Sequence, residues 1–163
     1  MHPAADPLDD LDQLIASLRH DDVGAALAHA ARLAHAGDDE FRDFVVTAMT
    51  AFRSAMQANV ADYGIDRATH ELEVVAHTTG DSPAVLAVEL AAMRTPPSRT
   101  RPATPTEQPL HAFTVTRWLA LLTLSYGIAD TDVRAWINGS MQRVAELLPD
   151  RRDPLRLVKG DQR

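Results

Sequence analysis

The chain contains no cysteine. Disulfides, thiolate metal sites and cysteine nucleophiles are therefore excluded, and a reducing compartment fits the composition. Lysine is almost missing as well, with Lys159 alone against fifteen arginines. Aromatic residues make up 5% of the 163 positions, so a packed core has to come mainly from alanine and the branched aliphatics. No apolar run approaches the ~20 residues that cross a bilayer. The opening residues, MHPAADPLDDLDQL, lack the basic, then apolar, then small-residue order of a secretory signal. The expectation is a cytoplasmic protein that does not enter a membrane. A glycine loop able to cradle phosphate, a nucleophile elbow, and a carboxylate pair backed by histidine are all missing too. No enzymatic activity, catalytic residue or cofactor is therefore expected.

Helical periodicity fills the space that strand signals leave empty. At 45% hydrophobic and 24% charged residues, the length suits one ordinary domain. Leu8, Leu11, Ile15 and Leu18 form an apolar stripe. Val23, Leu27, Ala30 and Ala34 form a second, alanine-rich one, and Gly37 before Asp38 and Asp39 marks a stop and a fresh cap. A long helix follows, with Phe41, Phe44, Val45, Ala48, Phe52, Met56, Val60 and Tyr63 on one face. Another spans about Arg67 to His77, and Ser82 with Pro83 opens a fifth. Five prolines between Thr95 and Pro109 forbid regular structure there. Beyond them, the stretch from Trp118 to Leu124 is apolar all round, as a central helix would be, and a final helix covers about Thr131 to Leu148. The predicted fold is an all-α helical bundle of about seven helices. Residues 1–94 make an acidic bundle, 95–109 a proline-rich linker, 110–149 a C-terminal helical pair, and 150–163 a basic tail. The short turns also suggest a tetratricopeptide-like solenoid, but no second copy occurs at a period near ~34 residues.

Charge divides along the same line. Up to residue 94 there are six arginines against sixteen carboxylates, and from residue 95 ten basic residues against seven acidic, within a formal charge of −7. Asp9, Asp10, Asp12, Asp21, Asp22, Asp38, Asp39 and Glu40 gather near helix starts, where they stabilise N-termini. As a surface they also suit a basic partner.

Two local patterns carry possible chemistry. HELEVVAH, His70 to His77, places His70, Glu73 and His77 at chelating spacings. On a helical wheel they lie opposite Ala68, Leu72, Val75 and Ala76, so they read as a solvated face, and no metal is expected. His29 and His35 fall on different faces of an alanine-rich helix. The second pattern is YGIADTDVRAWINGS, Tyr126 to Ser140. Its glycine, aliphatic, valine and tryptophan fill the buried positions of two helices crossing at a tight turn.

GIADTDVRAWING resembles the turn and recognition helix of the Xre/Cro-like repressors over about twenty residues. The resemblance implies a helix-turn-helix in which Gly127 and Ile128 make the turn, Val133 and Trp136 anchor the second helix, and Gly139 ends it. It would aim Thr131, Arg134, Ala135 and Asn138 at DNA bases. Thr123 stands where that family favours alanine or glycine, and Asp130 and Asp132 would face phosphates. The same residues also read as a core turn, with Asp130 capping the next helix. Two functions therefore remain open. One is a small regulatory protein that contacts DNA and dimerises or binds a partner through its acidic half. The other is a helical adaptor or assembly protein that binds a basic protein without touching DNA.

Overall fold

Local capping chemistry sets where the helices begin. The computed structural model describes residues 6–95 and 109–147. The basic tail at 150–163 and nearly all of the linker at 95–109 lie outside them. Asp6 accepts a hydrogen bond from the Leu8 N–H, and Pro7 opens α1, Pro7–Arg19. Asp22 caps α2, Val23–Ala36, through the Ala25 N–H, and Ser82 caps α5, Pro83–Arg94, through that of Ala84. Between them run α3, Asp38–Tyr63, and α4, Ile65–Thr79. After the linker come α6, Pro109–Ser125, a 3-10 turn, Asp130–Asp132, and α7, Val133–Leu147. Among the described residues there is no strand, and the fold is the all-α bundle of seven helices that the periodicity predicts.

The long α3 is the axis. Between Ala51 and Asn59 every residue but Arg53 is buried, because α1, α6 and α7 all pack on this helix, with α2, α4 and α5 around it. Trp118 of α6 is fully buried, its ring 5.9 Å from that of Phe52, and its indole N–H donates to Asp81 Oδ2 at 2.6 Å. Leu11, Leu14, Ile15, Phe52, Met56, Leu119 and Ile137 belong to the same hydrophobic cluster. The segments before and after the linker therefore share one core. An ion-pair group repeats the connection: Glu89 of α5, 1% exposed, meets Arg53 Nη2 of α3 at 3.3 Å and His111 Nε2 of α6 at 2.9 Å. A carboxylate so deep persists only with partners, since an unpaired buried charge is strongly destabilising.

Two sequence expectations change. On α2 the buried residues are Ala26 and Leu33, while Val23 and Leu27 are 57% and 59% exposed. An alanine-rich helix has too little side-chain contrast to fix its orientation, and the pairing of Asp10 on α1 with Arg32 and His29 on α2 helps to set it. At the start of α3 the cap position belongs to Gly37, with φ 141°, and Asp38 and Asp39 lie in the first turn. The α4 reading holds: Ala68, Leu72, Val75 and Ala76 are buried, and His70, Glu73 and His77 are exposed. Among the described residues no group of three or more His, Asp or Glu is placed to hold a metal ion. Among them, too, no helix is long and apolar enough to cross a membrane.

Candidate functional site at the turn between the last two helices

Gly127 makes the turn at φ 68°, a left-handed conformation that costs other residues roughly 1 to 2 kcal/mol. The Gly127 N–H donates to Leu124 O and the Ile128 N–H to Thr123 O, which closes the end of α6 in the manner of a Schellman motif. Val133, 1% exposed, and Ile137, 2% exposed, then seat α7 on the core. Trp136 is half-buried, its ring 5.9 Å from that of Tyr126. The packing residues of the motif thus meet at one tight helix, turn, helix unit.

Its outer residues are divided. Thr131, Ala135 and Asn138 are exposed. Arg134 is not free: Nη2 donates to Asp6 Oδ2 at 2.9 Å and Nη1 to Asp9 Oδ1, so the start of α1 holds the guanidinium. The hydrogen bond to Asp9 and that carboxylate's charge raise the Arg134 pKa further, and Asp6 adds to the effect. Arg143, the other cation on α7, reaches Asp62 at 3.4 Å. Gly139 does not end the helix as the resemblance implies. It sits exposed inside α7, which continues to Leu147 because Ser140 and Val144 still face the core.

Asp130 also departs from expectation, for it caps nothing. Its carboxylate accepts from Arg19 Nε at 2.9 Å and meets His20 Nε2 at 2.8 Å. The hydrogen bond from His20, with the charges of His20 and Arg19, lowers its pKa despite some desolvation. Arg19 ties the turn further, donating Nη1 to Thr123 Oγ1 at 2.6 Å and Nη2 to the Ile128 carbonyl. Thr123, fully buried, is thus an acceptor for Arg19 as well as a donor to Ala120 O. Arg19 gave no signal in the sequence: its partners lie more than one hundred residues away, and it reads as an ordinary last-turn cation.

On the opposite side of the turn a polar group crosses from α3 to α4. Asn59 Nδ2 donates to Glu71 Oε2 and to the Tyr126 hydroxyl oxygen, and the Tyr126 hydroxyl donates to Glu71. Burial raises the Glu71 pKa, but hydrogen bonds from Tyr126, Asn59 and Arg67 outweigh it and hold the carboxyl below its usual range. Burial, and then Glu71, push the Tyr126 hydroxyl upward, so it stays protonated and donating.

The electrostatic balance of the described fold is one-sided. Residues 6–95 and 109–147 hold nine arginines and no lysine against fourteen aspartates and five glutamates. Within 109–147, three arginines face three carboxylates, so the basic excess of the C-terminal half falls on residues outside the described ones. Comparison with family models, curated proteins and solved structures gives no match to this chain.

Proposed function

We propose that the chain is a non-enzymatic helical adaptor whose acidic bundle binds a basic protein partner. One observation carries this reading: both cations of α7 are already held by carboxylates, Arg134 by Asp6 and Asp9 and Arg143 by Asp62, on a fold with a ten-charge acidic excess. DNA phosphates approaching α7 would meet Asp130 and Asp132 and would have to displace three carboxylates from two arginines. A basic peptide meets the same surface with favourable charge and steering.

A second reading keeps the resemblance to the Xre/Cro-like turn. It is favoured by the left-handed Gly127 and by the exposure of Thr131, Ala135 and Asn138. In that case Arg134 leaves Asp6 and Asp9 on binding, and the arginines of the linker and tail supply phosphate contacts. Fluorescence anisotropy with a labelled arginine-rich peptide and a labelled duplex separates the two. The adaptor reading expects peptide binding that weakens with salt and no duplex binding at about 50 mM salt, where a phosphate-contacting protein binds strongly. Duplex binding that weakens steeply with salt and is lost in Arg134→Ala overturns it in favour of the DNA reading.

A further inference from the structure

Beside the turn, α3, the end of α6 and α7 enclose a cleft of about 330 Å³ whose walls include Tyr63, Tyr126, Trp136, Asn59 and Asp62. That volume falls within the range of pockets that hold a small ligand or a long side chain. Aromatic rings offer negatively polarised faces, which attract cations, and the Tyr63 ring already carries one. Asp62 adds a half-exposed carboxylate.

Asn59 makes the case more specific. It is 7% exposed, both bonds of its amide come from Nδ2, and its Oδ1 has no hydrogen-bond partner. Turning the amide over would set Oδ1 against the Glu71 carboxylate, so the present orientation is the favourable one. A buried acceptor left unpaired is uncommon and asks for a donor. The oxygen is closed off from water in the unliganded fold, so a ligand reaches it only as the cleft wall moves. The chain's own arginines show which donor suits the rim. Arg67 lies 4.3 Å over the Tyr63 ring, and Arg143 reaches Asp62 at 3.4 Å, a half-exposed pair that a competitor displaces at little cost.

We propose that this cleft seats an arginine side chain of the basic protein partner, with its guanidinium against Tyr126 and Trp136 and its N–H groups directed to Asp62 and Asn59 Oδ1. Guanidinium suits the site because it is planar, stacks on aromatic faces and carries five donors. The inference rests on the adaptor reading, and its test separates the two.

The two tryptophans provide the readout, since Trp136 lines the cleft and Trp118 is buried with its indole bonded to Asp81. The ¹⁵N-labelled full chain is titrated with N-acetylarginine amide, and in parallel with its neutral citrulline counterpart. The expected result is a saturable shift of the Trp136 indole resonance with the arginine compound only, with Trp118 unmoved. Asp62→Asn, a surface change that keeps the fold, should weaken the apparent affinity by about threefold, the scale of one exposed charge pair. Equal shifts with citrulline, or no saturable shift, overturn the proposal. An arginine-rich peptide that binds without moving Trp136 overturns the cleft while leaving the adaptor reading intact. Arginine amide that binds in the cleft while the peptide fails to bind sustains the cleft and overturns the adaptor reading.

Discussion

The two sides of the Gly127 turn are held by different physics. Toward α3 and α4, Val133, Ile137 and Asn59 are buried and Tyr126 and Glu71 partly so, and their contacts are packing and part-buried hydrogen bonds. Toward α1, Arg134 and Asp130 make ion pairs with Asp6, Asp9 and His20 at the solvent boundary, where screening leaves little net stabilisation, and Arg19, its side chain 6% exposed, ties the turn from beneath them. The inner side fixes the shape of the turn. The outer side decides which charges a partner meets, at little cost to the fold. A surface that can be rewired without unfolding is the kind on which binding specificity is set.

The comparison breaks most readily from the inside. Ile137→Ala removes a side chain that is 2% exposed from the seam between α7 and the core. A loss of about 2 to 5 kcal/mol is expected in urea unfolding, as for other large-to-small core changes. A loss below ~1 kcal/mol would mean that α7 is not seated as described. Gly127→Ala is next. An added Cβ meets nothing within 4 Å, so the penalty is backbone conformation alone, roughly 1 to 2 kcal/mol for φ 68°. Gly139→Ala serves as its control. That glycine is inside α7 with open space around it, and the same change should stabilise by up to about 1 kcal/mol through helix propensity.

Acidification should weaken the fold in two stages. His29 has its pKa lowered, first by burial and then by Arg32, against the pull of Asp10. Its folded value lies below the unfolded one, so the unfolded chain takes up the proton first and stability falls as pH drops below about 6.5. Glu71 is also lowered, so its contribution is fully present above the unfolded carboxyl range, about 4, and is lost as pH falls below that range. Thermal midpoints measured from about pH 8 down to about pH 2 check both. In His29→Gln the upper stage should disappear and the lower one remain; an unchanged upper stage would remove His29 as its cause.

Much of the helical frame was legible because its signals are local. Caps at Asp22 and Ser82, the glycine at the end of α6 and the polar wheel of His70, Glu73 and His77 depend on neighbours within a turn or two. The stripe of α2 was misread because alanine gives a helix no clear inside. The electrostatics of the site were illegible for another reason: Arg19 with Asp130, Arg134 with Asp6 and Asp9, and Tyr126 with Asn59 are all pairings that only the tertiary fold creates. Asn59 was hidden further by its place on the stretch of α3 from Ala51 to Asn59, which is buried nearly all round. Spacing reported the turn correctly and left the state of its arginine unstated.

The smallest structural effect tests the outer side. In Arg134→Ala, two half-exposed ion pairs disappear from a group in contact with water, and the urea midpoint should change no more than for other surface substitutions. The functional effect should run the opposite way. Freed from Arg134, Asp6 and Asp9 add two uncompensated carboxylates beside Asp130 and Asp132, so an arginine-rich peptide should bind faster and more tightly at low salt, the gain vanishing as salt rises. A base-reading arginine would behave in reverse, since its removal weakens binding to duplex at every salt concentration. Because the fold barely changes in either case, the sign of the affinity change alone says whether Arg134 faces a nucleic acid or screens an acidic docking surface.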